Sequence, residues 1–190
     1  MDQLERTIAA YERLRRGKYR ITIENGVVVE LRFKQENYHH LAGFQHLTDF
    51  PDLACPKQGK KRFYLDARDG KIRWERVCRS AKYPVVAQRI EHFPVIEQIM
   101  SEGSQKIIVC FDNSILRTKI EAIYFLYNRS GTPYTSDYMV CMLFLGQDPR
   151  TGEYFPTTFV AEPSNRYLTG QDLLDCTIER LLPKTRTRVS

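Results

Sequence analysis

Tyr19–Leu47 reads YRITIENGVVVELRFKQENYHHLAGFQHL, and it passes from strand chemistry to helix chemistry without a linker. Two β-rich runs, Tyr19–Glu24 and Val27–Phe33, flank Asn25-Gly26. That dipeptide tolerates the positive φ of a two-residue turn, so the run is a strong hairpin signal. Lys34–Leu47 then reads as one short helix, with Tyr38, Leu41 and Ala42 at the centre of its apolar face.

Outward from this run the pattern separates by type. Upstream, Leu4, Ile8, Tyr11 and Leu14 recur at three- and four-residue steps, predicting a helix over about 2–16 that Gly17 ends. Downstream, Pro51 and Pro56 mark a turn-rich stretch, and short helices are expected at 59–68 and 72–80. A longer helix from Pro84 to Met100 carries the stripe Val86, Ile90, Phe93, Ile96 and Met100. Pro84 suits its first turn, and Pro94 should kink or split it. The C-terminal half turns to strands at Lys106–Asp112, Glu121–Tyr127, Tyr138–Gly146 and Tyr154–Val160, the last two joined by a turn at Asp148–Gly152. Helices gathered first and antiparallel strands gathered last make an α+β fold.

Composition bounds the class. A chain of 190 residues with 42% hydrophobic and 27% charged residues is long enough to bury one core, and the domain is expected over 1–182, with a frayed basic tail at 183–190. The longest apolar stretch, Tyr138–Leu145, falls far short of the ~20 residues of a membrane span. Acidic residues near the N-terminus and the lack of an apolar leader core favour a cytoplasmic protein with no membrane partner. The five cysteines are scattered and odd in number, so buried thiols are expected rather than a disulfide framework or zinc site. The net charge of +6 is concentrated in residues 57–89, which hold eleven basic against three acidic side chains. Such a segment suits an anionic partner, nucleic acid before membrane, although a solvated helix surface would look the same. No G-x-x-x-x-G-K-[ST], G-x-G-x-x-G or H-E-x-x-H is present, which removes support for triphosphate, dinucleotide and zinc-protease chemistry through those motifs.

Three of the four histidines, His39, His40 and His46, fall within eight residues. On one continuous helix His39 and His46 share a solvated flank with Gly43, and His40 sits at the apolar margin. Partial burial favours the neutral imidazole that a general base needs. The plainer reading of His40 is a hydrogen-bonded core histidine. Gly43 inside a helix costs about 1 kcal/mol relative to Ala, which points to close approach of another backbone or of a ligand. His39 and His46 are about 10 Å apart along the axis, too far to share a zinc ion readily, so no metal and no cofactor is expected.

Phe33, Lys34, Glu36, Asn37, Tyr38, His40, Leu41 and Gly43 spell F-K-x-E-N-Y-x-H-L-x-G. Downstream, Ser80 with Tyr83 and Arg89-Ile90 with Phe93 give S-x-x-Y and R-I-x-x-F, and Pro156-Thr157-Thr158-Phe159 ends the late strands. Over about residues 30–172 this pattern resembles the fourth family of phage-associated barnase/EndoU/colicin/RelE-like nuclease domains. The resemblance implies helices packed on a four-stranded antiparallel sheet, with a nuclease-like core at 34–172 preceded by the helix and hairpin of 1–33. It implies a metal-independent ribonuclease from a phage or toxin setting, acting through attack of a ribose 2′-OH on the adjacent phosphate. Carried onto this chain, the candidates are His40 as base or acid, Arg89 and Lys34 for phosphate charge, and Thr157 or Thr158 as a donor to a phosphate oxygen. Tyr38, Tyr124, Tyr127 and Tyr138 would offer faces to stacked bases, with Arg79 as a further substrate-binding cation. For these tyrosines sheet packing is the competing role, and for Arg89 a tie to an acidic partner. RNA is the expected partner, with a cognate inhibitor protein as a second candidate. A catalytic acid is not identifiable, so a non-catalytic RNA-binding or protein-interaction module on the same fold is the main alternative. A nucleotide transferase is a weaker one, since no phosphate- or nicotinamide-binding motif is present.

Overall fold

The structure, a computed structural model, describes residues 1–116, 118–133 and 135–181, with the backbone alone at 104–105; the basic tail at 183–190 lies outside the described residues. The first helix, α1 (Gln3–Arg15), starts at a reciprocal cap. The Asp2 carboxylate accepts from the Glu5 N–H at 2.8 Å, and the Glu5 carboxylate accepts from the Asp2 N–H at 2.8 Å. This satisfies two of the donors a helix start leaves open. Its buried residues include Leu4, Ile8, Tyr11 and Leu14, the stripe read from the sequence.

The hairpin is present as β1 (Lys18–Ile23) and β2 (Val28–Arg32), antiparallel with Tyr19 opposite Leu31 and Ile21 opposite Val29. A helical block follows: α2 (Asn37–Leu41), a 3-10 turn at Phe44–His46, α3 (Pro51–Ala54), α4 (Lys60–Arg68), α5 (Trp74–Cys78), α6 (Tyr83–Glu91) and α7 (Val95–Ile99). The break between α6 and α7 falls at Pro94, where a ring that cannot donate interrupts the ladder. Four strands then follow as β3 (Gly103–Cys110), β4 (Tyr124–Ser130), β5 (Met139–Gln147) and β6 (Tyr154–Glu162), before a last strand β7 (Asp172–Leu181).

The expected four-stranded antiparallel sheet is not what forms. Seven strands close into a barrel in the order β1-β2-β6-β5-β4-β3-β7, mixed because β2 meets β6 in parallel at Leu31 and Tyr154. The difference is made by β7, which pairs with β1 on one side and β3 on the other and so joins the N-terminal hairpin to the late strands. Covering both edges removes the exposed ladder groups that a four-stranded sheet would leave. No strand is expected here from the sequence, yet the alternation is clear in the structure: Cys176 and Ile178 are buried, while Asp175, Thr177 and Glu179 point outward.

Two apolar clusters share the sheet. Cys141, Leu143 and Leu145 of β5 face the larger cluster with α1, α2 and α6. Val140, Met142 and Phe144 face the smaller one with Tyr167 and Leu168 of the loop after β6. Both faces of β5 are therefore covered, which explains the unbroken apolar run Tyr138–Leu145. Among the described residues no helix is long and apolar enough to cross a membrane.

Candidate active site

The Lys34–Leu47 segment does not run as one helix. The helix α2 stops after five residues because Gly43 takes φ +85°, its N–H bonding back to the His40 carbonyl at 3.1 Å. A left-handed glycine past the last turn is a common helix terminator. The chain is redirected there into the 3-10 turn, so the single helical wheel that set the histidine positions does not apply beyond Ala42.

The reversal is clearest at His39, expected in solvent and found 1% exposed. Its ring lies edge-on to Phe63 at 4.8 Å, and Nε2 is 2.7 Å from the Leu53 carbonyl, which fixes that nitrogen as the N–H donor. Its Nδ1 is buried with no partner. Burial thus pushes the imidazole pKa down to about 4. His39 is a core residue.

His40 keeps partial access to solvent, and the Lys60 ammonium at the start of α4 contacts its Nε2. Burial lowers the His40 pKa first and the neighbouring Lys60 charge lowers it further, while Gln45 acts in the opposite direction. His46 is exposed on the 3-10 turn, with Gln45 Nε2 at 3.3 Å from its Nε2. Burial and then the Arg89 charge depress the His46 pKa as well. Both rings therefore favour the neutral form near pH 7 in the free protein.

Arg89, on α6, closes this cluster. Its Nη1 is buried without a hydrogen-bond partner, and among the described residues no carboxylate forms an ion pair with it. Burial pushes the guanidinium pKa down to about 10. Gly43 explains how the arginine fits: a Cβ there would lie 2.9 Å from Arg89 Cδ and 3.2 Å from its Nη1. The group that approaches Gly43 is thus a side chain rather than the backbone or ligand expected there. Both α2 and α6 pack against β6, which brings His40, His46 and Arg89 to one region.

The other candidates lie elsewhere or are occupied. Lys34 is exposed before α2, pairs with Glu153 at 3.3 Å, and its carbonyl accepts from the Tyr11 hydroxyl at 2.6 Å. Thr157 sits at the bulge of β6 and donates to the Phe144 carbonyl at 3.2 Å. Thr158 stands directly opposite Phe144 and so shares the sheet face of the smaller cluster, away from α2 and α6. Tyr38 is fully buried, its hydroxyl 2.6 Å from Thr7 Oγ1, with no face open to a base. Tyr138 is 4% exposed and donates to Asn165. Tyr124 packs near Tyr154, Tyr127 lies under the Arg129 guanidinium, and Arg79 is exposed at the end of α5. Two members of the cluster were not among the candidates. His46 is exposed, as the sequence implies, but nothing local tied it to Arg89, and Lys60 stood undistinguished in the basic run, twenty positions from His40.

Among the described residues no group of three or more His, Cys, Asp or Glu side chains is placed to hold a metal ion. The cluster instead offers two neutral imidazoles beside an unpaired guanidinium and an ammonium, a set suited to proton transfer at an anion. The family model described as phage-Barnase-EndoU-ColicinE5/D-RelE like nuclease 4 matches residues 3–172. The chain belongs to this nuclease-like family. The match takes in α1 and the hairpin as well as the F-K-x-E-N-Y-x-H-L-x-G segment, and it ends where β7 begins, so the strand that closes the barrel lies at and beyond the family's matched region. No curated protein and no solved structure matches this nuclease-like chain.

Proposed function

We propose that this chain is a metal-independent RNA endonuclease, of the kind found as phage- or toxin-derived effectors, that cleaves by attack of the ribose 2′-OH on its own phosphate. The observation that carries the reading is Arg89, a largely buried guanidinium with an unpaired Nη1 beside two imidazoles of lowered pKa. Keeping an unpaired cation out of water costs stability, and an incoming phosphate repays that cost. Membership of a nuclease-like family supports the same reading.

In this mechanism His40 is the base. Lys60 occupies its Nε2 lone pair in the free protein. The substrate hydroxyl takes that position, and the displaced ammonium moves to a non-bridging phosphate oxygen. His40 then accepts the 2′-OH proton as the oxygen attacks phosphorus. Arg89 supplies fixed positive charge to the two non-bridging oxygens, where charge accumulates in the transition state. The P–O5′ bond breaks, and the leaving oxygen takes a proton from His46. The bound phosphate raises both imidazole pKa values toward the range where one ring is charged and the other neutral. The products are a 2′,3′-cyclic phosphate and a 5′-OH.

The test is incubation of RNA with wild-type and His40→Ala protein in EDTA, with end-group analysis. Cyclic phosphate ends that are lost in the variant are the expected result. Intact RNA, bound with a steep salt dependence, would instead identify a non-catalytic RNA-binding module. His46→Ala is expected to remove the alkaline limb of a bell-shaped kcat/KM profile whose acid limb, set by His40, lies below the ordinary imidazole value of 6.5.

A further inference from the structure

Away from the histidine cluster, Arg15, Arg16, Lys18, Arg32, Lys34 and Lys61 line one open groove of about 780 Å³. It runs where the end of α1, the start of β1, the end of β2 and the start of α4 meet. A second groove of about 620 Å³ shares Lys18, Arg32 and Lys34 with it, so the two are continuous. Some of this charge is neutralised locally: Arg15 pairs with Glu12 at 3.2 Å, Lys34 with Glu153 at 3.3 Å, and Lys18 with Glu30. Arg16, Arg32 and Lys61 are exposed and form no ion pair among the described residues. Three free cations on three different elements at one groove are not explained by the packing of any of them.

We infer that this groove holds the phosphodiester backbone of a single RNA strand on one side of the scissile phosphate. This rests on the nuclease reading above and extends it to substrate length. The geometric link is at the start of α4, where Lys60 reaches His40 while its neighbour Lys61 lines the groove. Lys60 and Lys61 are adjacent on α4 with side chains about 100° apart, so a strand leaving the histidine cluster passes around the start of α4 to enter the groove. The recognition is of charge rather than base identity. Phe33, the aromatic ring along the larger groove, is 4% exposed and offers no stacking platform, and the one aromatic of the smaller groove, Tyr154, is half-buried and packs near Tyr124. Arginine forks and lysine point charges instead match non-bridging phosphate oxygens, as in sequence-tolerant binding of single strands.

The experiment measures binding of 2′-O-methyl RNA of about 12 nucleotides, which cannot undergo 2′-OH attack, to the full chain and to an Arg16→Gln/Arg32→Gln/Lys61→Gln variant. Because no cleavage is needed, the outcome is independent of whether the catalytic reading holds. All three positions are exposed, and matching thermal melts establish that the variant is folded. Removing three phosphate contacts should make the slope of log Kd against log salt shallower by about 2, at roughly 0.7 per contact in single strands. The affinity advantage of the long RNA over a dinucleotide should disappear in the variant. An unchanged slope, or an equal loss of affinity for the dinucleotide and the long RNA, would overturn the inference. Absence of RNA binding to the wild type at low salt would also overturn it and leave an acidic protein as the class of partner that fits the groove.

Discussion

Replacing Arg89 by Met separates what this side chain does for the fold from what it does for the proposed site. Burial moves the guanidinium from its ordinary, strongly basic value down to about 10. The folded chain therefore carries the cost of the buried charge at every pH below about 10, and the penalty is relieved only as pH rises through 10 toward the ordinary guanidinium value. A shift of that size corresponds to about 3 kcal/mol against the folded state. The side chain keeps some contact with water, so screening reduces the expected figure to about 1–3 kcal/mol. Methionine keeps an unbranched apolar stem beside Gly43 and Val86 and has no charge to desolvate. The variant should thus unfold about 1–3 kcal/mol less readily than the wild type in urea at pH 7, with an unchanged m value. Cleavage, by contrast, should fall about 10²–10³-fold if the guanidinium stabilises transition-state charge. A more stable but inactive protein is the signature of a cation retained for function. Destabilisation by more than about 1 kcal/mol would mean that Arg89 is paired in solution, and wild-type cleavage rates would remove it from the site.

The seat of Arg89 can be tested from the other side, by comparing Gly43→Ala with Gly70→Ala. Both glycines have positive φ, +85° and +71°, but only a Cβ at Gly43 meets neighbours, at 2.9 Å from Arg89 and 3.1 Å from Val86. Each variant should lose about 1 kcal/mol from the backbone, with a further 1–2 kcal/mol and a loss of activity at Gly43 alone; equal thermal shifts would refute the contact. His39 supplies a pH dependence. Its pKa is depressed to about 4 from 6.5, so the unfolded chain binds this proton first, and stability should be full above pH 6.5 and fall by about 2–3 kcal/mol toward pH 4. Denaturation of His39→Gln, which retains a donor for the Leu53 carbonyl, should lack that component of the acid slope; an identical slope would place the titration elsewhere. Ile178→Ala in β7, 3% exposed, should cost about 2–4 kcal/mol if the barrel is closed in solution, and a cost below about 1 kcal/mol would indicate a dispensable strand.

The sequence by itself determined the elements whose signals are local. Asn25-Gly26 set the hairpin, the Leu4–Ile8–Tyr11–Leu14 stripe set α1, and Pro94 set the break between α6 and α7. The F-K-x-E-N-Y-x-H-L-x-G segment carried the family, and His40 and Arg89 were both readable as candidates from it and from R-I-x-x-F. These features depend on neighbours within one or two turns of chain. What depends on distant neighbours was settled only by the tertiary structure. The period-2 alternation of β7 was present in the sequence, but nothing in it says that one strand pairs with both β1 and β3 and turns an open sheet into a barrel. Likewise, the positive φ of Gly43 ended the helix early, and Arg89 fills the space where a side chain at that position would be. Phe63 and the Leu53 carbonyl cover His39, expected in water, while the turn after Gly43 leaves His46 within reach of Arg89's charge. Burial, and with it the charge state of an imidazole or a guanidinium, is a property of what packs around the group, and for this site those groups come from segments twenty to fifty residues away.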